Sequence, residues 1–418
     1  MKVTKETFPK EWDPMLLSEL VEKAEITLDR GEVISSITMA SNPGNYPVYS
    51  SSAKNNGLMG YWGEYQIDEE LITWSVDGGG YLFYRPKHKF SVTNVCGMLR
   101  ANKDRFNIRY LHYLLEWQHS LMTFDYVDKA HPSVIRKRYL IPTIGKLEQD
   151  SIATILSTLD RAIDYTKQLI AKYQRIKTGL LHDMLTRGID EHGNLRSEKT
   201  HKFKDSKLGR IPVEWEVISL KQLMIKGRGF IQTGPFGSQL HSYEYVSEGI
   251  PVIMPQDIQE LTISTEYIAR ITEQKANSLS KHLVLDEDII YARRGDISRC
   301  AVITTNQKGW FCGTGCILMR FEKKDILNPN WFKLFYQSSK GQNQIKANAV
   351  GLMMINLNSS VLNQLNIYQV PIDEQNSIVR ISKNIESSIQ NFKINLTKLQ
   401  SLKTGLMQDL LSGKVRVK

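Results

Sequence analysis

The sequence predicts an α+β fold in which two globular regions of mixed α and β structure alternate with two long helices. The helices are expected to pack as an antiparallel coiled coil, so that the chain is a pseudo-two-fold internal repeat. Three observations predict it. Residues 148–186 and 374–412 align without a gap at an offset of 226, with 15 identities in 39 positions. Both copies place large apolar residues at steps of three and four, the period of a coiled-coil seam. The stretches before each copy instead hold short β-like runs punctuated by glycine.

The first region, residues 1–145, opens with Pro9, Glu11, Trp12, Leu17 and Leu20, which recur as Pro212, Glu214, Trp215, Leu220 and Leu223 at an offset of 203. Its runs 46–50, 71–76 and 81–84 have the aromatic and β-branched content of strands. Residues 108–118 read as a helix with Tyr110, Leu111, Leu114 and Leu115 on one face. The first long helix is expected over 146–187, with its stripe at Ile152, Ile155, Leu159, Ile163, Ile170, Tyr173, Ile176, Leu180 and Met184, broken only at Thr166. No proline interrupts it, and Gly188 supplies a stop. Residues 188–210 are polar, basic and poor in large apolar side chains, and read as a linker. The second region, 211–371, repeats the style of the first, with strands at 249–254, 288–293 and 316–321 and a helix at 329–337. Here Asn328, Trp331, Phe332 and Phe335 answer Asn107, Tyr110, Leu111 and Leu114 at an offset of 221. The second long helix, 372–412, carries its stripe at Ile378, Ile381, Ile385, Ile389, Phe392, Leu396, Leu399, Leu402, Leu406 and Leu410. Residues 413–418 form a basic tail with Arg416 and Lys418. At 1.5 Å per residue each repeated helix is about 58 Å long.

A chain of 418 residues is long enough for two or three domains. Its 41% apolar and 23% charged residues exclude wholesale disorder. With no run of 18 apolar residues, no membrane span is predicted. Residues 1–14 lack the apolar core of a secretory signal, and Cys96, Cys300, Cys312 and Cys316 are too few for a disulfide framework. The expectation is a cytoplasmic protein. The net charge of +10 permits a polyanionic partner. Locally, residues 85–109 hold seven basic residues against one acid, Asp104, and residues 129–146 hold five and no acid. Such blocks suit phosphate contact, and suit a solvated face equally.

A catalytic reading needs a constellation that the sequence does not supply. Gly78, Gly79 and Gly80, like Gly313 and Gly315, lead into strand-like runs rather than helices, so they read as turns and not as nucleotide loops. Asn328-Pro-Asn-Trp departs at Asn330 from the Asn-Pro-Pro-aromatic motif of amino methyltransferases and reads as a helix start. Cys312 and Cys316 have no second pair at zinc spacing. No histidine pair at i, i+4 flanks a glutamate, and Asp286, Glu287 and Asp288 have no nearby Glu-x-Lys. The chain is therefore expected to be no enzyme but a scaffold with two similar heads, without a metal site.

Two variable heads alternating with two repeated helices resemble the specificity subunit of type I restriction-modification systems, over nearly the whole chain. The helix ends 177–185 (KTGLLHDML) and 403–411 (KTGLMQDLL) are similar to that family's conserved regions, as is the Pro-x-Glu-Trp opening at Pro212. Residues 233–238 (TGPFGS), followed by Gly249-Ile-Pro251, look like the start of many of its target-recognition domains. Residues 289–295 (IIYARRG) fit the same pattern, and 46–50 (YPVYS) with Asn56-Gly57 resembles another common subtype.

The resemblance implies a non-catalytic subunit whose two target-recognition domains each read one half of a bipartite, asymmetric double-stranded DNA target. It implies helices that set the spacer and dock two modification subunits, which methylate adenine at N6, and through them two restriction subunits. S-adenosylmethionine, ATP and Mg would then belong to the partners, with no cofactor in this chain, and the target adenine would be extruded into a partner's pocket. Base-edge reading favours Arg, Lys, Asn, Gln and Ser. The candidate DNA contacts are accordingly Ser50, Ser51, Ser52, Lys54, Asn55 and Asn56 with Arg85, Lys87 and Lys89 in the first head. In the second they are Gln232, Thr233, Ser238 and Gln239 with Arg293, Arg294 and Arg299. Partner docking is expected at Lys177, Thr178, Gly179, Leu180 and Asp183 and at Lys403, Thr404, Gly405, Leu406 and Asp409. The competing reading is a coiled-coil adaptor with two protein-binding heads, which the local basic blocks disfavour.

Overall fold

The computed structural model describes residues 3–77, 79–122, 130–259, 262–348 and 356–417. Gly78 of the glycine run, Lys129 of the second basic block and Lys418 of the tail lie outside them. The chain forms two compact units, one of Met1–Ile170 with Phe392–Lys418 and one of Ala171–Asn391. Each unit thus holds one head, the beginning of the long helix after that head, and the end of the other long helix.

In unit one the head is built on two four-stranded sheets. Strands β1 (Ile26–Arg30), β2 (Tyr46–Tyr49), β3 (Leu58–Trp62), β4 (Ile67–Asp68), β5 (Leu71–Ser75), β6 (Leu82–Arg85), β7 (Lys89–Val92) and β8 (Cys96–Ala101) are followed by helix α1 (Ile108–Ser120). The sheet orders are β1-β8-β5-β6 and β3-β2-β7-β4. Central β5 is buried on both faces, as its run of Leu71, Ile72, Thr73, Trp74 and Ser75 requires. The first long helix, α2, spans Lys146–Arg187.

The head of unit two uses β9 (Phe230–Thr233), β10 (Tyr245–Val246), β11 (Ile250–Ile253), β12 (Ala269–Ile271), β13 (Ile289–Ala292), β14 (Cys300–Val302), β15 (Phe311–Cys312) and β16 (Cys316–Arg320), then helix α3 (Pro329–Gln337). Its sheets run β9-β16-β13-β14 and β10-β12-β11-β15. The second long helix, α4, spans Ile372–Leu411. The two heads share one topology: β1, β8, β5 and β6 correspond to β9, β16, β13 and β14. In the second sheet the parallel pairs β2/β7 and β11/β15 correspond, flanked by antiparallel β3 and β12. β10 is an addition, and a single bridge, Leu283 to Phe311, stands where β4 does.

Individual main-chain bonds confirm the correspondence residue by residue. Thr93 N donates to Tyr49 O and Gly313 N to Ile253 O, each at 2.9 Å. Val76 N donates to Val95 O and Arg293 N to Gly315 O, while Ala130 N reaches Val76 O as Leu357 N reaches Arg293 O. Gly31 and Gly234 also correspond, donating to Cys96 O and Cys316 O. A Cβ on either would lie 1.9 Å from a carbonyl oxygen, of Val92 or of Gly313 respectively, so only glycine fits.

Each head is fastened to its long helix by the same device. Asn107 caps α1 through Tyr110 N, and Asn328 caps α3 through Asn330 N and Trp331 N. Gln149 on α2 accepts from Asn107 N at 2.9 Å and donates to Arg105 O and Ile144 O. Gln375 on α4 accepts from Asn328 N at 2.8 Å and donates to Ile326 O and Val370 O. Both glutamines are buried. The repeated Glu-Gln dipeptide is therefore a joint between head and helix, which its sequence alone does not reveal.

The helices pair antiparallel within each unit. In unit one Lys403 on α4 meets Asp160 on α2 at 2.8 Å, and Leu410 and Leu411 join Ile152 and Leu156 in one core. In unit two Lys177 meets Glu386 at 3.0 Å, and Met184 and Leu185 join Ile378 and Val379. The repeat offset carries the first ion pair onto the second. The stripe is covered unevenly: Ile152, Ile163, Met184, Ile378, Ile389 and Leu410 are buried. Ile176 and Leu402, expected in the seam, are 42% and 50% exposed, because two helices alone cannot cover every seam position. Thr166, read as a break, is buried with its hydroxyl on Ala162 O.

Residues 188–210 form an ordered connection. Ile189 bridges Leu195, and Phe203–Lys204 pairs with Ile211–Pro212. Arg196 enters the core to meet Glu374, at 2.5 Å from Nη1 to Oε1.

Candidate nucleic-acid interface

The connection from β2 to β3, residues 50–57, is a tight loop held from beneath. Ser50 N donates to Gly57 O and Gly57 N to Lys54 O. Thr93 Oγ1 donates to Ser50 Oγ at 3.0 Å, and Ser75 Oγ donates to Ser51 O at 2.7 Å. Asn55 and Asn56 both lie in the left-handed region, φ 50°, which asparagine tolerates better than other side chains. The outcome is a hydrogen-bonded loop with Ser52, Lys54, Asn55 and Asn56 exposed, while Ser50 and Ser51 are half-buried supports.

Arg85 does not present its guanidinium to an outside ligand. It is 4% exposed, lies 3.5 Å above the Tyr49 ring, and donates to Thr73 Oγ1 and to Asn56 O at 2.9 and 2.7 Å. Burial pulls its pKa down to about 10, so it remains charged at neutral pH. It positions the loop. Lys87 and Lys89 are exposed but sit at the start of β7, whereas the loop lies by its end; Lys89 Nζ rests 4.5 Å from the Tyr65 ring. Two further arginines of that basic block are paired within the head and a third lies over a ring, while Lys103 is exposed. Arg100 pairs with Asp29 and Glu69, Arg105 with Glu25, and Arg109 lies over Tyr84.

In the second head, Gln232 turns its amide onto Thr233 O, and Gln239 accepts from Phe236 N to close a turn. Thr233 is half-buried at the end of β9 and Ser238 is exposed. Arg293 donates through Nε to Asn356 Oδ1 at 3.0 Å. Arg294 is exposed, and Arg299 faces Asp296 at 3.5 Å. The structure brings Arg293, Arg294 and Arg299 onto one β13–β14 connection but leaves Gln232 and Thr233 on a different strand. Gln256 and Gln259, not among the residues singled out from the sequence, are exposed on the connection leaving β11. Their signal is topological: Tyr49 and Ile253 make the same main-chain bonds, so the loops that leave them occupy the same place in each head.

On the helices, Lys177 and Lys403 are partly buried and paired with Glu386 and Asp160. Thr178 and Gly179, like Thr404 and Gly405, are exposed, and a Cβ built on either glycine meets nothing within 4 Å. Leu180 and Leu406 are half-buried, as are Asp183 and Asp409, which pair with Arg187 and Lys414. Both copies therefore present the same small, open step beside an exposed apolar residue, Ile176 or Leu402. Among the described residues no group of three His, Cys, Asp or Glu side chains converges to hold a metal, and no helix is long and apolar enough to cross a membrane.

A head topology used twice, each copy joined by a Gln cradle to a long paired helix, defines a two-headed recognition scaffold. The family description of the type I restriction modification DNA specificity domain matches residues 9–175 and again 212–401. The chain belongs to that family. It is 22% identical over 433 residues to the type I restriction enzyme MjaVIII specificity subunit of Methanocaldococcus jannaschii, covering 98% of this chain and 94% of that one. Its fold is similar to the crystal structure of the type I restriction-modification S subunit from M. genitalium, with TM-score 0.60, 16% identity and 98% of both chains covered. A structure described as the basis of complex assembly and conformational transition of the type I R-M system matches with TM-score 0.55, 13% identity and 98% and 99% coverage.

Proposed function

We propose that this chain is the non-catalytic specificity subunit of a type I complex, each head reading one half of a bipartite, asymmetric DNA target. The helices fix the spacer and dock two adenine-N6 methyltransferase subunits and, through them, restriction subunits. S-adenosylmethionine, ATP and Mg belong to those partners. The observation that carries the reading is the combination of one repeated scaffold with two different loop sets. Identical partners can dock on related helix faces, while unlike heads read unlike half-sites without palindromy. Exposed Lys54, Arg294 and Arg299 supply charge for phosphate contact, and exposed amides supply base-edge donors and acceptors.

The docking assignment predicts that paired glutamates at Thr178 and Gly179 remove one methyltransferase copy from the co-expressed complex, and that the same change at Thr404 and Gly405 removes one copy as well. Native mass spectrometry reads the stoichiometry. Full assembly in both variants would count against docking on these faces.

A further inference from the structure

We infer that the connection leaving β11 is the base-reading loop of the second head, with Gln256 and Gln259 as its specificity-determining side chains. The inference rests on the proposed DNA-binding function and names where the second half-site is read. Four observations support it. Tyr49 and Ile253 hold equivalent positions in equivalent parallel ladders, so residues 50–57 and the stretch beginning at Met254 emerge from the same point of each head. The second loop is as firmly built as the first. Buried Asp257 accepts from Met254 N at 2.8 Å, its own N–H returns to Met254 O, and Ser264 N donates to Asp257 O at 2.8 Å. That turn throws Gln256 and Gln259 outward.

An arginine also ties each loop to the neighbouring sheet through a loop carbonyl. In the first head this is Arg85 on Asn56 O, and in the second Arg299 on Pro255 O at 3.5 Å. Arg299 is itself exposed, so it can both brace the loop and face a phosphate. Finally, Gln256, Gln259, Ser298 and Arg299 line one polar cavity of about 480 Å³, with Asp296 at its wall. Amides in such a setting fit adenine, whose N7 and N6 accept from and donate to a Gln or Asn side chain in the major groove.

The first head offers Asn55 and Asn56 at the corresponding place, so both loops carry paired amides. Gln232 and Gln239, by contrast, each engage one end of the amide with nearby main chain: Gln232 donates to Thr233 O and Gln239 accepts from Phe236 N.

The test is a genome-wide map of N6-methyladenine in cells expressing the complete complex with wild-type chain, Gln256→Ala or Gln259→Ala. The expected result is a gapped motif whose one half-site loses about ten- to a hundredfold preference at one or two positions. The other half-site and the gap stay unchanged, which shows that the variant chain folds and assembles. An unaltered motif in both variants overturns the loop assignment while leaving the DNA-specificity reading intact. Absence of any gapped motif with the wild-type chain overturns that reading, and this inference with it.

Discussion

Glu374 shows how one side chain can hold three segments. Its carboxylate accepts from Arg196 Nη1 and Nη2 at 2.5 and 3.1 Å, from Trp215 Nε1 at 3.0 Å and from Ile189 N at 2.8 Å. All of this is buried, and a Cβ at Gly188 would collide with the pair. The repeat places Glu148 at the same helix position. There the partner is Arg416 at 2.7 Å, and the arginine is 44% exposed. Glu374→Ala would strand a buried guanidinium and destabilise unit two by about 3–5 kcal/mol. Glu148→Ala is expected to cost about 1 kcal/mol or less, since Glu148 is mostly covered but its arginine is exposed, so solvent screens the pair and rehydrates the arginine left behind. Hydrogen-exchange protection in each unit measures both, and equal losses would contradict this difference in burial.

His282 makes a second prediction at this scale. It is 1% exposed, packs 5.6 Å from the Phe311 ring, and among the described residues neither ring nitrogen has a hydrogen-bond partner. Burial, helped by adjacent Lys281, pulls its pKa from 6.5 to about 4. The unfolded chain therefore binds this proton first as pH falls. Stability from the neutral ring is complete above pH 6.5 and declines between 6.5 and 4, by on the order of 2 kcal/mol. Against wild type, His282→Leu should gain that much relative stability between pH 7.5 and 4.5. A difference that does not vary with pH would refute it.

Among the elements, the long helices were the most legible, because a three-four apolar period over some forty residues has no competing interpretation. The strands at 71–75 and 289–292 and the helix at 329–337 were legible for a different reason, being apolar runs bounded by turns. What escaped was long-range. Ile176 and Leu402 follow the period yet remain exposed, because whether a seam position is covered depends on what packs beside it. Residues 188–210 have linker composition, but Arg196 finds a buried carboxylate 178 positions away. Arg85 looked like a surface base beside Lys87 and Lys89; only the fold turns it inward onto Asn56 O. The equivalence of Gly31 with Gly234 lies at the 203 offset already visible in the tryptophans, yet no shared neighbour marks it in the sequence.

At the scale of the whole molecule, repetition divides the work. The Gln149 and Gln375 joints, the paired helices and the shared sheet topology are common to both units, and on the proposed function they would offer identical partners equivalent surfaces. The loops at residues 50–57 and 254–259 differ in sequence and charge, and on the proposed function they would give each head its own target. The proposed DNA reading depends on each head reading its half-site independently. The sharpest test replaces residues 1–145 with the corresponding head of another family member and maps N6-methyladenine in cells that carry the full complex. Independent heads would yield a motif in which one half changes while the other half and the gap length persist. A change in both halves, or in neither, would contradict independent reading.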